Sequence, residues 1–287
     1  MQIASARYAR RRATNAVMLT ISLGAALFGL LWLVWILATL FINGVGSLSV
    51  TLFTESTPAP GSDGGGLLNA IYGSFLMTLI GTVIGTIVGI MAGTYLSEFG
   101  KTSRLAEVIR FVNDILLSAP SIVIGLFVYQ VLVAGLFGHY SGWAGAVALS
   151  IIAIPVVTRT TEDMLRLVPN TLREAASALG SPQWKVVTQV CYRAARNGII
   201  TGVLLAIARI SGETAPLLYT SFSSQFWSAD MGQAIANLPV TIYQMTLNST
   251  DPRSVELAWS GALLITVTIL LLNIIARALS SLGSKQG

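Results

Sequence analysis

From Ala16 to Ile42 the chain carries no charged residue. An α-helix needs about 20 consecutive apolar residues to cross the hydrocarbon core of a bilayer, and a stretch this long reads as a span. A cleaved signal core would be shorter, roughly 7–15 residues, and would end at a small-residue site, which this run lacks. Further long apolar runs follow. Only 10% of the 287 residues are charged, against about 25% in soluble domains. The expected fold class is therefore an all-α polytopic membrane protein with six transmembrane helices. The spans are expected at about 16–42, 67–96, 109–137, 143–157, 198–222 and 256–276. They form one transmembrane domain over residues 16–287, behind a basic N-terminal segment, 1–15.

Charge sets the topology. Of the 17 Lys and Arg, all but Arg209 and Arg253 fall in the N-terminal segment, the second and fourth loops, or the C-terminus. The intervening loop 43–66 holds Glu55 and Asp63 and no base. Positive charge is retained on the cytoplasmic side, so both termini and the long loop 158–197 are expected in the cytoplasm. This distribution gives the net charge of +5 a topological meaning and gives no reason to expect a nucleic-acid partner. Membrane lipid is the expected surrounding. Cys191 and His139 are single, which removes disulfides, metal clusters of the usual kinds and most nucleophile–His catalysis. Neither a metal nor a cofactor is expected.

Two motifs mislead. Gly100-Lys101-Thr102 looks like the end of a phosphate-binding loop, but that pattern needs Gly five residues before Gly100, where Tyr95 stands. The chain is therefore not expected to hydrolyse ATP. Asn248-Ser249-Thr250 fits a glycosylation triplet, a pattern common by chance. In the second span, Gly81, Gly85, Gly89 and Gly93 recur every four residues. They line one helix face and suit close helix packing.

The long loop carries a polar elbow, Thr171 to Pro182. Thr171 and Glu174 have capping-box spacing, so a helix is expected to start there. Gly180 suits a left-handed helix end. Ser181 is then expected to cap a second helix with Pro182 at its first position. In the fifth span, Arg209 lies roughly 16 Å deep. Glu213, four residues on, lies on the same helix face, within reach of an ion pair. Gly212 and Pro216 predict a kink or break at this depth. Two readings stand: a structural ion pair that locks the bundle, or an anion contact in which the guanidinium fork grips a tetrahedral oxyanion.

Glu174-Ala175-Ala176, followed by Gly180 after three intervening residues, resembles the EAA loop of ABC-importer permeases. The string Arg209-Ile210-Ser211-Gly212-Glu213-Thr214-Ala215-Pro216-Leu217-Leu218 resembles the PstA-type permeases of phosphate ABC transporters. The resemblance implies the type I ABC importer permease fold in a bacterial inner membrane. It implies partners: a homologous second permease, two copies of a cytoplasmic ATPase that binds the ATP, and a periplasmic or extracellular phosphate-binding protein. It assigns Glu174, Ala175, Ala176, Leu179 and Gly180 to ATPase coupling and Arg209 and Glu213 to the substrate pathway. Another oxyanion (sulfate, molybdate or phosphonate) remains an alternative substrate. An intramembrane enzyme acting on a lipid phosphate is a more distant one.

Overall fold

The computed structural model describes residues 2–59, 62, 64–100, 103–247 and 251–283. Lys101, Thr102 and the Asn248-Ser249-Thr250 triplet lie outside them. The described residues are mostly helical, with no strand among them. Helix α1 covers Gln2–Gly46, so the basic N-terminal segment continues the first span as helix from its second residue. A short turn α2, Thr51–Thr54, leads to α3, Leu68–Thr94, which ends in wider π-type turns, Tyr95–Phe99. Next come α4, Arg104–Ser118, and α5, Ser121–Val128, the latter prolonged by π-type turns to Phe137. Then follow α6, Gly142–Arg166, and two elbow helices, α7 (Asn170–Ala178) and α8 (Gln183–Lys185). Wider turns, Val186–Cys191, join α8 to α9, Tyr192–Ile210. The chain ends with α10 (Ala215–Thr220), α11 (Leu238–Leu247) and α12 (Pro252–Gly283).

Five helical stretches are long and apolar enough to cross a membrane. The third expected span, 109–137, is not one helix. Helices α4 and α5 meet at 109°. Pro120 supplies no N–H, and the residue before it, Ala119, is pushed to an extended conformation (φ −67°, ψ 135°), which ends α4. Counting the bent pair as one broken span gives six. The fourth span runs on past 157 to Arg166, because Pro155 is accommodated inside α6 without ending it. The fifth begins well before residue 198 and stops at Ile210 instead of reaching 222.

Helix α6 is the axis of the bundle, and its strongest neighbour is α3. The seam between them is made by glycine. A Cβ on Gly81, Gly85, Gly89 or Gly93 would sit 3.0, 2.7, 2.7 or 2.6 Å from atoms of α6, at Leu149, Ala153, Val157 and Thr158 respectively. No larger residue fits without parting the helices, so backbone contact and dispersion replace side-chain interdigitation along this line. The main core then closes around α6 with Met77 of α3, Ile124 of α5, Ile210 of α9 and Leu217 of α10. Helix α1 is the opposite case. It is exposed over nearly its whole length and touches α12 near its end, where Gly44 abuts Leu263.

Candidate functional site: the elbow and the broken helix

The elbow forms, but its caps differ from the expected ones. Helix α7 begins at Asn170 with Pro169 at the cap (φ −60°, ψ 141°) and no side-chain cap bond. Thr171 is therefore already inside the helix, and the Thr171–Glu174 capping box does not exist. The end of α7 follows expectation. Gly180 is left-handed (φ +80°), its N–H donates to the Ser177 carbonyl at 2.9 Å, and the Ser181 N–H donates to Ala176 at 3.2 Å. These are the paired bonds of a Schellman stop. Pro182, not Ser181, then occupies the cap of α8 (ψ 151°), which leaves the Ser181 hydroxyl one residue too early to serve.

No residue of α7 is buried. Glu174, Ala175 and Gly180 are exposed, and Ala176 is half-buried. Leu179 is 87% exposed, and Leu167, Leu172 and Trp184 of the same segment are exposed too. An apolar cluster on an otherwise polar surface marks a contact site.

Besides the packing of Ala176 against the cluster of Leu165, Val168 and Val186, what holds this exposed helix to the bundle is Arg173. Its Nη2 donates to Glu98 Oε1 at 2.7 Å and to the Leu165 carbonyl at 2.7 Å, and its Nε donates to Glu98 Oε2 at 3.2 Å. Nη1 donates to the Val168 carbonyl. One guanidinium thus ties together the ends of α3 and α6 and the start of α7. The hydrogen bond to the Glu98 carboxylate holds the Arg173 pKa above its ordinary value. A second acid, Glu162, is 2% exposed and pairs with Arg110 of α4 at 2.9 Å and Arg166 of α6 at 2.5 Å. Sequence reasoning missed both acids. The signal was present: Glu98 is the sole charged residue from Leu68 to Phe99, at the end facing the basic loops.

The second part of the site is the break after α9. The helix stops at Ile210. Loose turn bonds follow, from the Gly212 N–H to Arg209 (3.4 Å) and from the Glu213 N–H to Ile210 (3.3 Å). Pro216 then takes the second position of α10. The break begins earlier than Pro216 alone would place it, and Gly212 lies in it. Gly125 of α5 packs on it so closely that a Cβ there would be 2.6 Å from Pro216 Cα. The expected Arg209–Glu213 ion pair is absent among the described residues. An i,i+4 pair needs unbroken helix between its members, and the helix ends one residue after Arg209. Arg209 is exposed and Glu213 half-buried, and neither side chain makes a hydrogen bond among the described residues.

The family model for the "binding-protein-dependent transport system inner membrane component" matches residues 81–282. The phosphate transport system permease protein PstA of Pasteurella multocida is 58% identical, over 96% of this chain and 97% of that one. PstA of Haemophilus influenzae is 57% identical, over 94% and 95%. A chain of the inward-facing MetNI methionine ABC transporter superposes with a TM-score of 0.60 at 18% identity, over 74% of this chain and 95% of that one, a likeness of fold. Bundle, elbow and family match together define a multi-pass membrane permease subunit, a transport component and not an enzyme. The chain belongs to the PstA family of phosphate transport system permeases.

Proposed function

We propose that this chain is one half of the membrane pathway of an ATP-driven phosphate importer, with Arg209 as the residue that meets the anion. A second, homologous permease completes the pathway. Two copies of a cytoplasmic ATPase bind and hydrolyse the ATP, so this chain needs no cofactor of its own. A periplasmic or extracellular binding protein delivers phosphate. The protein sits in the bacterial inner membrane with both termini in the cytoplasm, in keeping with the placement of its Lys and Arg.

The observation that carries this reading is Arg209 itself. A cation at this depth in hydrocarbon costs at least ~2.5–3.5 kcal/mol. Here it is exposed, outside any ion pair among the described residues, beside a break in the helix. Such a residue is stable where water or a partner covers it, which supports a pathway between this chain and a second permease. Its planar fork suits a tetrahedral oxyanion, because two N–H groups can bond two oxygens at once. Glu213, across the break, sets the field around it. The exposed elbow face, with Glu174, Ala175, Ala176, Leu179 and Gly180, supplies the surface on which an ATPase docks. Energy then enters through α7 and passes along α8 and α9 toward the break.

The test is phosphate uptake by the reconstituted complex. Loss of one charge-assisted bidentate contact is worth about 1.5–3 kcal/mol, so Arg209→Ala lowers uptake roughly 10- to 100-fold. Arg209→Lys is intermediate. Uptake by Arg209→Ala equal to that of the unmodified complex refutes the assignment. Competition by sulfate as strong as by phosphate refutes the choice of anion.

A further inference from the structure

Two helices present an outward ridge of residues spaced four apart, and the ridges differ in chemistry. On α3 the ridge is Phe75, Leu79, Val83, Ile87 and Met91, all exposed and all apolar. That is the composition a membrane helix presents to lipid or to an apolar neighbour. On α9 the ridge is Arg193, Asn197, Thr201, Leu205 and Arg209. Four of its five residues are polar, none is buried, and none is acidic. The Arg193, Asn197 and Arg209 side chains make no hydrogen bond or ion pair among the described residues. Thr201 donates to the Asn197 carbonyl at 2.8 Å and keeps its oxygen free to accept. On the side of α9 away from Arg193 and Asn197, Ala195, Gly202 and Ala206 pack into the bundle.

We infer that this ridge, which winds about 160° around α9 between Arg209 and Arg193, is the wall of a water-lined anion track running from Arg209 to the elbow end of the helix. The inference rests on the phosphate-import reading and extends it to named residues. Sixteen residues of α-helix separate Arg193 from Arg209, about 24 Å, enough to link mid-membrane to the headgroup level. A ridge buried against lipid would leave the Asn197 amide without a partner, which hydrocarbon penalises by several kcal/mol. Two arginines with no acid between them favour an anion over a cation. Asn197 offers amide N–H donors between them, and Arg193 receives the anion at the exit.

The test uses the full complex in proteoliposomes, in a Cys191→Ala background. Single cysteines are placed by Asn197→Cys, Thr201→Cys and Leu205→Cys, with Leu79→Cys and Val83→Cys on α3 for comparison. The probe is a negatively charged methanethiosulfonate, with and without inorganic phosphate. The three α9 cysteines are expected to react at least ~10-fold faster than the α3 pair, since fixed cations concentrate anions, and phosphate is expected to slow them. Thr201→Cys stands in if Asn197→Cys fails to assemble. Reaction as slow as on α3 overturns the inference and means that the ridge is sealed against another helix. Fast reaction that neither phosphate nor sulfate slows overturns it too, because the ridge is then wet without holding anions. Protection by sulfate and not phosphate supports the track and refutes the phosphate reading alone.

Discussion

Arg173 and Glu98 give the elbow its anchorage, and removing either side chain should release it. The Glu98 side chain is 8% exposed and the Arg173 side chain 18% exposed. Arg173→Ala strands a desolvated carboxylate and leaves the Leu165 and Val168 carbonyls without these donors. Breaking one partner of a buried pair costs about 3–5 kcal/mol. The lower end applies here, because the pair lies at the edge of the bundle and is partly solvated. About 3 kcal/mol corresponds to roughly a 100-fold change in the opening equilibrium of α7. Hydrogen exchange of α7 amides in the assembled complex reads that equilibrium, and each of Arg173→Ala and Glu98→Ala should raise exchange by about that factor. The double variant removes the attraction and the stranded charge together, so it should exchange little faster than either single one. A coupling of about 2–3 kcal/mol is the expected result of the cycle. Additive effects, or unchanged exchange in the single variants, would refute the clasp.

Two further predictions concern the bundle. Gly89→Leu drives a side chain into Val157, whose Cβ lies 2.7 Å from the position of a Cβ on residue 89. Overpacking costs about 1–3 kcal/mol, so the thermal midpoint of the purified complex should fall, whereas Gly24→Leu, with nothing within 4 Å, should leave it unchanged. At the start of α12, Asp251 accepts from the Ser254 hydroxyl at 2.6 Å and from the Arg253 N–H at 3.1 Å. The Ser254 bond is the main cause that pulls its pKa below the usual carboxylate range. Its contribution is present in full above the unfolded pKa, near 3.9, and is lost as pH falls through the lower folded value. Exchange of the first-turn amides of α12 should therefore rise below about pH 4, and Asp251→Asn should flatten that rise.

What the sequence disclosed depended on how local the signal was. The apolar runs placed five spans, because hydropathy needs no knowledge of neighbours. The four-residue glycine repeat identified a packing face, although only the structure names α6 as its partner. Gly180 ended its helix as expected, since a left-handed stop depends on one residue. The caps at Thr171 and Ser181 failed because prolines at 169 and 182 took those positions, and proline competes well where an N–H is not needed. The third span was misread because one Ala-Pro step turns the chain through a large angle while leaving hydropathy unchanged. The Arg209–Glu213 pair failed for a related reason: it was judged on helical spacing across a segment that is not helix. The Arg173–Glu98 clasp joins residues 75 positions apart, and no local pattern encodes such a distance.

The contrast between α1 and α6 bears on how the chain enters the bilayer during synthesis. Helix α1 is the most apolar of the spans and rests on almost nothing else in the protein. It can partition into lipid as soon as it emerges. Helices α6 and α9 are the least apolar, and α6 carries Thr158, Thr161 and Glu162, all buried in the finished bundle. Left alone in hydrocarbon, α6 would hold the Glu162 carboxylate with only Arg166 of its own helix beside it and without Arg110. Helix α3, the partner along its glycine seam, is made earlier, and so is Arg110, the second arginine on Glu162. Chain order thus delivers α6 to a membrane that already contains its counter-surface, so a lesion in the α3 seam should appear as failed insertion of α6 before any effect on transport can be measured.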